Sequence, residues 1–198
     1  MTGKTSRKTD RRIEKTKTAI KTAFQELLIE TDYDKITITA LARKADIDRK
    51  TFYAHYASIE DVVDDHARET VQGIITNIDG KGFFGDLETN VNLLFMNLNS
   101  LIEENLSFRQ RILQDFTIEK IAEHWSKAVK EILITDQISF PDEAGQYLDY
   151  FLDFYLAGTI AVYRTWLESD RQIPLETIAA IASRSAVEGL RGLANMRR

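Results

Sequence analysis

Apolar residues recur at helical spacing along almost the whole chain, and no alternating run is long enough to require a strand. Ile13, Ile20, Phe24, Leu27 and Leu28 share one face of a first helix predicted over residues 11–30, after a polar, basic arm at 1–10. Thr31-Asp32-Tyr33-Asp34 breaks it. Thr37 stands where an N-cap belongs, ahead of a short helix with Ile38, Leu41, Ala42 and Ala45 on its apolar face. Asp46-Ile47-Asp48 makes the next break, and Asp48 is placed to cap a third helix over 49–56. Ser58-Ile59-Glu60-Asp61 has the form of a capping box, with Asp in place of the usual Glu. It opens a fourth helix predicted to run to about residue 78.

A glycine-rich loop at 79–85 follows. Further helices are predicted over 86–104, 108–115, 118–134, 141–168 and 174–195. Ser107 and Thr117 serve as caps, and Pro141 and Pro174 sit in first turns. The expected fold class is therefore all-α with about nine helices. A three-helix helix-turn-helix domain with its basic arm occupies 1–57, and a larger helical domain occupies 58–198.

Composition sharpens the division. The 198 residues carry a net charge of −5, but residues 1–58 hold 13 Lys and Arg against 8 Asp and Glu. The remainder is strongly acidic. A basic module joined to an acidic body points to a polyanionic partner for the first part. There is no cysteine, which excludes disulfides, thiolate zinc sites and cysteine nucleophiles, and which fits a reducing, cytoplasmic location. No apolar run follows the basic N-terminus and none reaches the length of a membrane span, so neither a signal peptide nor a membrane anchor is expected.

Two short helices joined by a tight turn let the second lie in the major groove of double-stranded DNA, where side chains near its N-terminus reach base edges. Arg49, Lys50 and Tyr53 occupy those positions. Thr37, Thr39, Thr51, His55 and Tyr56 carry groups able to donate to phosphates, and Arg43 and Lys44 add charge beside them. Each has a plainer reading: Tyr53 and Tyr56 can simply pack, His55 can be structural, and Arg43 and Lys44 can form a solvated face.

The segment Ile36-Thr-Ile-Thr-Ala-Leu-Ala-Arg-Lys-Ala45, continued by Asp46-Ile-Asp-Arg-Lys-Thr-Phe-Tyr-Ala-His-Tyr56 and Ser58-Ile-Glu-Asp-Val62, resembles the DNA-binding domain of the TetR/AcrR family. Thr51–Tyr56 looks like that family's Tyr-x-His-Phe signature. The resemblance implies a homodimer on a palindromic operator, and usually repression relieved by a small molecule. Three features depart from the family pattern. Asp46 replaces a turn glycine, Asp46 and Asp48 place negative charge near the groove, and Ile59 stands where a phosphate-binding lysine is usual. Phe154-Tyr-Leu-Ala-Gly-Thr-Ile160 through Trp166-Leu167 is similar to the C-terminal domain of a Gram-positive subset. Some members of that subset activate sugar or dihydroxyacetone kinase operons.

The last two helices are apolar on more than one side. Leu148, Phe151, Leu152, Tyr155, Ile160, Tyr163 and Trp166 spread around the first of them. Such a helix is buried on several faces, against a two-fold partner or within a larger monomeric core. The resemblance places the dimer at about 142–168 and 174–195. An effector pocket is expected among His66, Phe95, Phe116, His124, Trp125, Tyr147 and Phe154, although aromatic residues at helical spacing are more often core. No phosphate loop, metal-ligand spacing or nucleophile motif is visible, so neither an enzyme, a metal site nor a cofactor is expected. The alternative is a regulator or activator that answers to a protein partner without a small-molecule ligand.

Overall fold

The structure, a computed structural model, describes residues 3–76, 86–135 and 147–194. Among the described residues it holds nine α-helices, one 3-10 turn and no strand. They are α1 (Gly3–Glu30), the turn Tyr33–Lys35, α2 (Ile38–Lys44), α3 (Arg49–Tyr53), α4 (Ile59–Ile74), α5 (Leu87–Glu104), α6 (Leu106–Asp115), α7 (Ile118–Thr135), α8 (Leu148–Glu168) and α9 (Leu175–Ala194). None is long and apolar enough to cross a membrane. The chain divides into two compact units, Met1–His66 and Ala67–Arg198, and the division falls inside α4.

Local chemistry accounts for most of the helix starts. An N-cap side chain accepts from an amide that the helix itself leaves without a partner. Thr37 accepts from the Ala40 amide at 3.1 Å and Asp48 from the Thr51 amide at 2.7 Å. The capping box is reciprocal. Ser58 Oγ accepts from the Asp61 amide, while the Asp61 carboxylate accepts from the amides of Ser58 and Ala57. Asp86 and Thr117 cap α5 and α7 in the same way.

Several boundaries differ from expectation. α1 begins at Gly3, so the basic arm continues the first helix; no proline interrupts residues 3–30. Asn105 rather than Ser107 caps α6, because its side chain reaches the Phe108 amide and leaves Ser107 within the first turn. α3 stops at Tyr53, and the amides of His55 and Tyr56 both return to Phe52 O, which tightens the chain and turns Tyr56 inward. α4 ends at Ile74, where Asn97 Nδ2 of α5 donates to Ile74 O and Thr76 O. The predicted loop at 79–85 and the predicted helix start at Pro141 lie outside the described residues.

The α2–α3 turn is a Schellman motif: the Ile47 amide donates to Ala42 O at 3.0 Å and the Asp46 amide to Arg43 O at 3.3 Å. This geometry requires a left-handed residue, and Asp46 supplies it with φ 54°. Aspartate tolerates the conformation better than most residues but not as well as glycine. Replacing Asp46 with glycine is expected to raise stability by about 0.5–1 kcal/mol. The urea midpoint should rise with no change in the slope of the transition.

Two cores result. In the first unit, Ile20, Phe24, Leu28, Leu41, Phe52 and Val62 are fully enclosed. Ile36 is buried beside them, whereas Ile38, Ala45 and Ile47 are half-buried. In the second unit α5 packs on α9 and α7 on α8. Val91, Phe95, Leu98, Ile102, Tyr163, Leu167 and Val187 make its principal core.

Candidate nucleic-acid interface

α2 and α3 expose Thr39, Arg43, Arg49, Lys50 and Tyr53. Arg49 opens α3, and Tyr53 lies one turn later on the same face. The Arg49 guanidinium sits 5.9 Å from the centroid of the Tyr53 ring, with Nη2 3.5 Å from its hydroxyl. Tyr53 is 49% exposed although its ring also meets Phe52 edge-on at 5.7 Å. Such stacking on one side holds both side chains extended from the helix at little entropic cost. Lys50, Thr39 and Arg43 are exposed on the same two helices. Thr39, Arg43, Asp46, Asp48 and Arg49 line an open groove of about 580 Å³ across the turn.

The remaining residues expected at the interface divide. Thr37 is exposed, and although its oxygen caps α2 its own hydroxyl proton stays available to donate. Thr51 and His55 are half-buried. Two residues have partners within the protein. Lys44 turns back to α1, where Nζ lies 2.9 Å from Glu30 and 3.2 Å from Glu26. The hydrogen bonds that it donates to these two carboxylates hold its ammonium above the usual lysine range. Its charge is thus shared with α1. Tyr56 is buried, and its hydroxyl donates to Asp65 at 2.5 Å, so it faces the core. Asp48 holds a negative charge beside Arg49, and the Thr51 amide keeps its carboxyl below the usual range.

Sequence reasoning missed what stands behind this surface. Asp65 on α4 accepts from Tyr56 and lies 3.4 Å from both Lys17 and Lys21 of α1. Lys21 and Asp65 are each only 7% exposed. Tyr33 donates to Glu60 at 2.9 Å, a second tie to the start of α4. Two lysines one turn apart, flanking the apolar Ile20, were the available signal: an amphipathic helix rarely carries charge there without a buried partner.

The residues expected to form a pocket divide between the core, the surface and the first unit. Phe95, Phe116 and His124 are buried, and Trp125 packs against both hydrophobic clusters of the second unit. His66 belongs instead to the first unit and bonds with Gln25 at 2.8 Å. Tyr147 is exposed and Phe154 is 71% exposed, because α8 turns them, with Tyr150, away from the core. Among the described residues no group of three potential metal-binding side chains converges.

Comparison with known proteins shows the family of the chain. Residues 20–65 match the profile of bacterial regulatory proteins of the tetR family, and residues 89–187 match a transcriptional regulator C-terminal region. A stretch of 70 residues is 39% identical to the HTH-type transcriptional regulator YxbF of Bacillus subtilis; it covers 35% of this chain and 18% of that protein. A TetR transcriptional regulator from Streptococcus agalactiae has a similar fold, with TM-score 0.59 and 22% identity over 91% of this chain and 98% of its own. The dihydroxyacetone kinase operon activator DhaS is similar too, with TM-score 0.53 and 18% identity over 89% of this chain and 96% of its own.

Proposed function

We propose that this chain, which belongs to the TetR family of transcriptional regulators, works as a homodimeric repressor that a small-molecule effector releases from a palindromic operator. The observation that carries the DNA contact is the exposed Arg49–Tyr53 pair at the start of α3, with Lys50 beside it. Arg49 and Lys50 suit guanine acceptors, and the Tyr53 ring suits a thymine methyl. Thr37, Thr39, Arg43 and Thr51 serve the phosphates.

Dimerisation is supported by α8 and α9. Tyr150 (77% exposed) and Phe154 stand out from α8, and a Cβ on Gly158 of the same helix would meet nothing within 4 Å. Ile181 of α9 is 58% exposed. An apolar face of this kind suits an isologous two-fold contact. Two α3 helices would then reach half-sites about one helical turn, roughly 34 Å, apart. An effector acts by binding the DNA-free arrangement more tightly than the DNA-bound one. The regulated gene and the operator follow from selection of genomic fragments on the purified protein.

The test is direct. The protein should elute at twice its 22.7 kDa chain mass and retain a specific fragment in gel-shift assays at moderate salt. Replacing Tyr53 with alanine is expected to weaken that specific binding by about 1–3 kcal/mol while leaving binding to random sequence almost unchanged. Equal losses on both DNAs would remove Tyr53 from base recognition. A stable single subunit would remove the paired half-sites.

A further inference from the structure

Resting on the effector reading above, we propose that the second unit binds a small organic carboxylate and that Arg109 is the residue that pairs with its charge. Arg109 lies on α6 with its guanidinium largely buried. Its Nη1 donates to Thr70 Oγ1 of α4 at 3.3 Å and its Nε to Leu101 O of α5 at 3.4 Å, while the Phe108 ring lies 5.6 Å away. Both bonds are long and both acceptors are neutral. Burial pushes the guanidinium down to about 10 against the pull of Glu104. Among the described residues no carboxylate lies within ion-pair distance of it.

Several other partly buried cations of the protein are treated differently, although Arg164 too has a neutral acceptor, Phe116 O at 2.6 Å. Lys17 and Lys21 meet Asp65, Arg111 meets Asp115 and Lys130 meets Asp149, all within 3.4 Å. A buried charge without a counter-charge is costly, and it is normally paired or neutralised. At Arg109 three helices converge on a cation served only by neutral acceptors. Its neighbours include apolar side chains: Phe108 is fully buried, and Leu101 and Leu106 pack on the principal core of this unit. One polar anchor in an apolar lining is the composition of a ligand site. The planar guanidinium matches a carboxylate through two parallel bonds. A carboxylate brings one negative charge and leaves the pair neutral. A phosphate monoester brings close to two and leaves an uncompensated charge in the same apolar setting.

Thermal melting of the full chain at pH 7 tests this, with benzoate and octanoate as carboxylate probes and benzyl alcohol, octanol and phenyl phosphate as controls. A carboxylate is expected to raise Tm by roughly 5–10 °C at about a hundred times its dissociation constant. Arg109→Met should abolish that shift. Without ligand, Arg109→Met should melt at the parent temperature or above, because an uncompensated charge is exchanged for an apolar side chain of similar length. A carboxylate shift that survives Arg109→Met overturns the proposal. So does a ligand-free Tm lowered by more than about 5 °C, which would make Arg109 a structural residue. A shift with phenyl phosphate but neither carboxylate overturns the choice of ligand class. An alcohol that shifts parent and variant equally leaves a small-molecule effector in place but removes Arg109 from it. Silence from all five probes overturns the carboxylate reading, while gel-shift release of the selected fragment by other small molecules reports separately on the effector reading.

Discussion

Replacing Asp65 with alanine is expected to destabilise the protein by about 3–5 kcal/mol, the range for breaking a buried ion pair from one side. The Lys21 ammonium is buried and Asp65 is a counter-charge to it, so removing the carboxylate takes compensation from a desolvated cation. The Tyr56 hydroxyl loses its acceptor at the same time. Urea unfolding gives the number, and the double variant Asp65→Ala with Lys21→Met should recover most of it, since the stranded charge is then gone. A loss below about 1 kcal/mol for the single variant would mean that water reaches Lys21 freely.

The same site sets a pH dependence. Burial pushes the Asp65 carboxyl up, but the Tyr56 hydroxyl and the Lys21 and Lys17 charges outweigh it and hold the group below the usual aspartate range. A carboxyl lowered in the folded state contributes stability that is fully present above its unfolded value, about 3.9, and is lost as pH falls through the folded value. Stability should therefore be flat with respect to this group at neutral pH and decline in acid below about pH 4. The Asp65→Ala variant should show a shallower decline over that acid range.

Replacing Gly189 with alanine is the second large effect, about 3 kcal/mol, at the upper end of overpacking costs. A Cβ there would overlap Tyr155 Oη and Cζ and come within 3.0 Å of Cε2. The glycine is the notch on α9 that receives Tyr155 of α8, whose hydroxyl donates to Ser185 O at 3.3 Å. The ring cannot retreat easily, because Phe151 and Phe154 flank it with centroids 4.3 and 5.0 Å away. Combining Gly189→Ala with Tyr155→Leu should restore much of the loss, which a thermal melt of the four proteins of the cycle would show. Purely additive effects would mean that the two helices separate without strain.

How much of this was legible in the chain depends on the range over which each feature is decided. Thr37, Asp48 and the Ser58–Asp61 box act within three residues, and each caps the helix that its sequence position announced. The left-handed turn at Asp46 is equally local, and the family's glycine pointed to it. The partners of Lys44 and Tyr56 were not legible, because they lie on α1 and α4, 14 and 9 residues away, beyond the reach of a local cap. Phe154 and Arg109 reversed the ordinary expectation for their types: an aromatic turned outward and a guanidinium turned inward. Composition cannot reveal that, because only the packing of several helices selects which face of α6 or α8 is enclosed.

The end of α4 has a dynamic consequence. Its last carbonyl, Ile74 O, and Thr76 O of the turn after it are held by the side-chain amide of Asn97 on α5, where solvent would otherwise serve them. Fraying of that terminal turn therefore requires α5 to release a side chain, so hydrogen–deuterium exchange at residues 73–76 should rise and fall together with exchange in the middle of α5.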